Sequence, residues 1–210
     1  TDATGYSVSS IEFRTECVTL ADSAMAILNK EAATNGLEIT YDRVYTSPSN
    51  TGAALEDNVE IRKAVSLAKS IMAIQLPTSD RTDLAEDSFL ATTYTNTSAD
   101  IRLGNQYYPF QPIENEVEAY FNYLKQYNKL KRSSAETVTG LADFQSGGMA
   151  QIVANLETDD SLNLTGLPVN SSRIIECRFT RTATTNIRTY AFLTYTALCR
   201  ASLSNVSCKI

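Results

Sequence analysis

The sequence predicts a mainly β protein, an antiparallel β-sandwich with one to three helices in its connections. Three observations lead there. Several runs alternate apolar and polar residues with a period of two, which presents one face of a strand to a core. Ser and Thr make up roughly a fifth of the chain, with eleven Tyr and no Trp, a composition that suits strands and exposed sheet faces. Strand-like segments also follow one another through loops without a regular βαβ alternation, which favours a sandwich over a doubly wound sheet.

Taken in order, Ile11, Phe13, Thr15 and Cys17 alternate with Glu12, Arg14 and Glu16 as a half-buried strand. Ala21 to Ala33 has helical composition and ends at Asn35-Gly36, a helix stop. Leu37, Ile39 and Tyr41 begin a strand that continues through Tyr45 and closes at the turn Ser47-Pro48-Ser49-Asn50. Residues 58 to 76 are ambiguous. Val59 and Ile61 alternate, Ala64, Val65 and Ala68 suit a helical turn, and Ile71 to Leu76 suits a buried strand ended by Pro77. Residues 78 to 99 are acidic and rich in Ser and Thr, and read as a long surface loop.

A short strand at Ile101 to Tyr107 is expected to lead into Tyr107-Tyr108-Pro109-Phe110-Gln111-Pro112. Two prolines make that stretch a rigid extended connector that cannot be a central strand. Val117, Tyr120, Phe121 and Leu124 then have i, i+3, i+4, i+7 spacing, behind the acidic residues Glu114 and Glu116, and define the clearest helix. A short turn is expected around Leu141 to Phe144, a strand at Gln151 to Leu156, and a turn-rich loop from Asp159 to Ser172. Ile175, Cys177 and Phe179 alternate with Glu176, Arg178 and Thr180; a polar turn, Thr182 to Asn186, separates them from a strand at Ile187 to Cys199. A last strand ends in Val206, Cys208 and Ile210. The expected organisation is one domain over residues 1–210, with a helical insertion around 114–132 and seven or eight strands in all.

Function is constrained mostly by what is missing. The chain has no histidine, so triads built on His, and zinc sets containing it, are impossible. It has no G-x-S-x-G, P-loop or G-x-G-x-x-G, and Gly147-Gly148 reads as a turn. No catalytic residue, cofactor or metal is expected. A net charge of −6 argues against direct nucleic-acid binding, which normally needs an excess of cations. The longest basic run, Lys129-Leu130-Lys131-Arg132, complements the dipole at a helix C-terminus. No apolar run reaches the roughly 18 residues of a membrane helix. The four cysteines, Cys17, Cys177, Cys199 and Cys208, are widely spaced without C-x-x-C and are read as packing thiols in preference to disulfides. Sequons at Asn96, Asn163, Asn170 and Asn205 are expected by chance in so Ser- and Thr-rich a chain. The start at Thr1 suggests a processed product, a fragment or a trimmed chain.

Two features hold candidate sites. Asp80, Asp83, Glu86 and Asp87 in one loop, and Asp159-Asp160 in another, offer oxygen ligands without the regular spacing of a Ca²⁺ loop, and solvated loops are the simpler reading. The aromatic region from Tyr107 to Tyr127 has three readings: a helix stripe packed on the sheet, a stacking platform, or a subunit interface. As an interface its candidate residues are Tyr107, Tyr108, Phe110, Tyr123 and Tyr127, with Asp159 and Asp160 from the later loop.

Four stretches carry a resemblance. They are Asn58-Val-Glu-Ile-Arg-Lys-Ala-Val65, Ile101-Arg-Leu-Gly-Asn-Gln-Tyr-Tyr-Pro-Phe-Gln-Pro-Ile113, Glu118-Ala-Tyr-Phe-Asn-Tyr-Leu124 and Gly166-Leu-Pro-Val-Asn-Ser-Ser-Arg173. In this order they resemble the C-terminal jelly roll of double jelly-roll major capsid proteins of DNA viruses and related elements, over residues 58 to 210. The resemblance implies a jelly-roll-like sandwich that self-assembles into a virion shell, with copies of itself and other capsid proteins as partners and no catalytic residues. Those proteins are about twice as long, so this chain would be a single-jelly-roll relative, or one half or a cleavage product of a longer protein. The competing expectation is a carbohydrate-binding β-sandwich that uses the Tyr-rich region or an acidic Ca²⁺ loop. A carboxylate-pair enzyme ranks third.

Overall fold

The computed structural model describes residues 12, 20–49, 54–77, 95–130, 140–146, 151–157, 166–170, 174–201 and 206–209. Among them are ten strands and three helices, in the order α1 (Asp22–Thr34), β1 (Leu37–Pro48), β2 (Ala54–Ile61), β3 (Val65–Pro77), β4 (Asn96–Leu103), β5 (Gln106–Ile113), α2 (Glu116–Leu130), α3 (Leu141–Ser146), β6 (Gln151–Asn155), β7 (Leu167–Val169), β8 (Ile175–Thr185), β9 (Ile187–Ala201) and β10 (Val206–Lys209). Two antiparallel sheets result. The larger has the order β1-β9-β3-β6, with β10 also on β9 and β7 also on β3; the smaller has the order β2-β8-β4-β5. The mainly β antiparallel sandwich expected from the sequence is the observed fold.

Two compact units divide the chain, residues 1–41 with 197–210, and residues 42–196. In the first, α1 stops where the sequence predicts. The Asn35 and Gly36 N–H groups both donate to Glu31 O, and Gly36 takes φ 78°, a conformation that costs a residue with a Cβ. Arg200 Nε donates to Asn35 O at 2.8 Å, and β10 pairs antiparallel with the end of β9, Cys208 opposite Cys199.

The second unit takes most of its core from alternating residues. Val59 and Ile61 of β2, Ala99, Ile101 and Leu103 of β4, and Ile175, Cys177 and Phe179 of β8 line the inner face of the smaller sheet. Ile71 and Ala73 of β3 and Ala191, Leu193 and Tyr195 of β9 are buried in the larger sheet. Burial pushes the Cys177 thiol up to about 12, so it is a packing group there, as expected.

The same phase carries polar residues inside. Asp57, Arg181, Asn96, Gln75 and Thr189 are all buried. Arg181 Nη2 lies 3.4 Å from Asp57 Oδ2, with side-chain exposures of 1% and 0%. The same carboxylate oxygen accepts from the Thr189 hydroxyl, which joins β2 to β9. Asn96 Nδ2 donates to Gln75 Oε1 at 2.7 Å, which joins β4 to β3. Two polar ties thus link the sheets. Burial lowers Arg181 below the usual guanidinium range, and the Asp57 charge opposes that shift. Asn96 is buried in this layer, so its sequon presents no acceptor at the surface.

Several expectations change. Residues 58 to 76 form no helical turn; they are the end of β2, a three-residue connection at 62–64 and most of β3. The expected loop at 78 to 99 ends early, because Asn96 begins β4, whose polar residues Thr97, Asp100 and Arg102 occupy the outward phase. Ile101 to Tyr107 is no single strand: Gly104-Asn105 forms a two-residue turn with Gly104 at φ 61°, and Leu103 pairs with Gln106 across it. The Pro-rich connector is strand β5, at the outer position where prolines are tolerated. Thr182 to Thr185 continue β8 instead of turning, and the chain changes sheets at Asn186. A short strand, β7, interrupts the expected 159–172 loop. The expected strand at Ile11–Cys17, apart from Glu12, and residues 78–94 lie outside the described residues.

Candidate assembly surface

The aromatic region divides between core and surface. Asn115 Oδ1 accepts from Glu118 N at 2.9 Å and caps α2, while Glu118 Oε2 accepts from Glu114 N at 2.8 Å, a capping-box-like exchange. Asn122 Oδ1 accepts from Val153 N at 3.0 Å and fastens the helix to β6. The inward face carries Ala119 and Tyr123, which is only 7% exposed. Phe144 of α3 lies 5.4 Å from the Tyr120 ring, edge-on, and 5.8 Å from the Tyr123 ring. Val117 and Phe121 face away, and Phe121 is 62% exposed. The predicted helical stripe is therefore only partly used for packing.

Strand β5 supplies the other wall. Ile101 pairs with Tyr108 and Ala99 with Ile113, so β5 advances five residues where β4 advances two. The surplus bulges outward between Pro109, after a cis Tyr108–Pro109 peptide, and Pro112. Neither proline has an N–H to hold the ladder there. Phe110 stands on the bulge and is 91% exposed. Phe110, Phe121, Pro109 and Pro112, with Glu114 and Glu118 exposed at the margin, line an open groove of about 980 Å³. A second cavity, at the β2–β3 turn beside Arg62 and Lys63, holds about 200 Å³, less than small-molecule sites usually offer.

Tyr107 is exposed and lies under Arg102, whose guanidinium carbon is 5.7 Å from the ring centroid. Tyr108 is half-buried and its hydroxyl donates to Gln106 Oε1 at 3.2 Å. Phe110 is the dominant exposed residue, and Tyr123 belongs to the interior. Tyr127 lies within α2, but its side chain, like Asp159 and Asp160, lies outside the described residues. So do Asp80, Asp83, Glu86 and Asp87. Sequence reasoning missed Phe121 and Val117 as surface residues, because helical spacing alone assigns them to the packed stripe.

The outer face of the smaller sheet is charged. Glu176 Oε2 is 2.5 Å from Arg178 Nη2 and 3.7 Å from Arg102 Nη1. Asp100 sits beside them; burial raises its pKa above the usual carboxylate range against the opposing pull of Arg178 and Arg102. The Glu176 hydrogen bond raises Arg178. Among the described residues no group of three or more His, Cys, Asp or Glu side chains could hold a metal ion, and no helix is long and apolar enough to cross a membrane.

Further apolar surface lies on β1, outermost in its sheet, where Ile39, Val44 and Tyr45 are exposed, and on α1, where Ile27 is 70% exposed.

No protein-family model matches the chain, and no curated protein does. Solved structures do match. VP54 of PBCV-1, from a crystal structure fitted into a cryo-EM reconstruction of the virophage Sputnik, superposes with a TM-score of 0.51 at 11% identity, over 84% of this chain and 52% of VP54. A quasi-atomic model of the PBCV-1 virus capsid gives 0.45 at 12% identity, over 83% and 52%, and the cryo-EM structure of the Sputnik virophage gives 0.49 at 13%, over 83% and 39%. The fold is thus a jelly-roll-type sandwich shared with a viral protein. At this identity the likeness to VP54 is one of fold, and the chain spans about half of VP54's length.

Proposed function

We propose that this protein is a structural subunit that assembles with copies of itself, and with other capsid proteins, into a virion shell, without cofactor or catalysis. The observation that carries the reading is the pair of exposed phenylalanines, Phe110 and Phe121, on a sandwich with the fold of VP54. Aromatic side chains held open on a rigid edge strand and helix are what subunit contacts bury. The exposed apolar residues of β1 and α1 add to the surface available for lateral contacts. A shell needs broad contacts of this kind more than a deep pocket. The reading rests on the surface and the sequence-level resemblance to capsid proteins, and this chain shares the fold of about half of VP54.

Light scattering and analytical ultracentrifugation over a concentration series test the reading. Assembly into discrete large species is expected. A protein that stays monomeric at millimolar concentration, with no larger form in its native source, contradicts it.

A further inference from the structure

We propose that the acidic, aromatic groove between β5 and α2 receives the Lys129–Arg132 segment of a second copy, in a head-to-tail contact. The inference rests on the assembly reading above and names the contact that would drive it. The groove pairs the exposed rings of Phe110 and Phe121 with the carboxylates of Glu114 and Glu118 at its margin. Its occupant must therefore carry cations beside an apolar group. A chain of net charge −6 carries an overall repulsion between copies, which a basic segment set against an acidic groove offsets locally. Lys129-Leu130-Lys131-Arg132 is the longest basic run in the sequence, and Leu130 sits among its cations.

Helix geometry separates the groove from the run of its own copy. The groove is built on the first turns of α2, and the run begins at the far end of the same continuous helix, Glu116–Leu130. Eleven residues separate Glu118 from Lys129, about 16 Å at the helical rise. The run of another copy meets no such restraint, and isotopic labelling separates the two cases. A contact between two different patches closes reciprocally in a two-fold dimer or runs head to tail into a ring or extended lattice, and the head-to-tail form is the one that builds a shell. The charge pairing makes it sensitive to salt.

Charge exchange tests this. Glu114 lies outside the helix and its side chain is exposed, so Glu114→Lys leaves the cap of Asn115 intact. Glu114→Lys alone, and Lys129→Glu/Lys131→Glu alone, are each expected to raise the protein concentration needed for assembly by about tenfold or more. The triple variant, with the charges exchanged, is expected to assemble again. Circular dichroism and thermal midpoints check each fold. Carbodiimide coupling of wild-type protein, mixed from two isotopic labels, gives an independent readout: peptides joining Glu114 or Glu118 to Lys129 or Lys131 should carry both labels. Wild-type assembly with no effect of either reversal, with no rescue, or with those crosslinks absent overturns the contact and leaves the assembly reading standing. Failure of wild-type protein to assemble overturns both.

Discussion

Removing the Asp57 carboxylate tests the account of the core most severely. Asp57 and Arg181 are 124 residues apart in sequence, sit on paired strands β2 and β8, and bring their charges to 3.4 Å with essentially no solvent exposure. At an effective dielectric of about 20, unit charges at that distance attract by about 5 kcal/mol. Desolvation offsets much of this, so the intact pair is worth little net; the half-broken pair is what costs. Asp57→Ala removes the carboxylate beside a buried guanidinium and the acceptor of the Thr189 hydroxyl. The expected loss is about 3–5 kcal/mol of stability. For a domain of this size that lowers Tm by roughly 6–20 °C, at about 2–4 °C per kcal/mol. Replacing both partners with apolar residues, Asp57→Leu/Arg181→Met, should recover most of the loss. Denaturant unfolding of wild type, Asp57→Leu, Arg181→Met and the double completes a mutant cycle. A cost below about 1 kcal/mol for Asp57→Ala, or simple additivity of the two singles, refutes the buried-pair argument.

Other outcomes follow from the same geometry. Phe110→Ser/Phe121→Ser should leave monomer stability within about 0.5 kcal/mol, since both rings are exposed, while weakening assembly; a large drop in Tm would show that the rings pack inside. The raised pKa of Asp100 means that the folded state holds its proton more tightly than the unfolded chain. Its contribution to stability is full below the ordinary carboxylate pKa and is lost as pH rises through the folded value. Asp100→Asn should therefore gain on wild type as pH rises from 4 to 7, measured by urea midpoints; an advantage independent of pH refutes the assignment. Cys177, buried with its thiol pushed up to about 12, should resist iodoacetamide at pH 8.5 in the native protein and react on unfolding, as read by peptide mass mapping. Labelling of Cys177 as fast as in the unfolded protein would contradict its burial.

Much of the fold was legible because alternation exposes a half-buried strand. Ile175, Cys177 and Phe179 announced the inner face of β8, and Asn35-Gly36 announced the end of α1. The same phase, extended by two residues, places Arg181 inside, a signal present in the sequence but masked by the expectation that arginine faces water. Its partner could not be read, because a pairing across 124 residues depends on sheet order. The run Thr182 to Thr185 looked like a turn, yet threonine is a good strand former and β8 continues through it. Strand β4 was half hidden because its outward face is polar and its first inward residue is Asn96. At the candidate surface the aromatic density was visible in advance. Which rings are buried was not: Tyr123 reads as a candidate interface residue and Phe121 as part of the packed stripe, and the placement of α2 against β6 and α3 reverses the two.

Electron microscopy of the purified protein under conditions that promote assembly tests the central claim most directly. The account predicts closed particles or ordered arrays with a regular subunit repeat, lost in the Phe110→Ser/Phe121→Ser variant. A homogeneous field of monomers, or irregular aggregate unaffected by that variant, would contradict it.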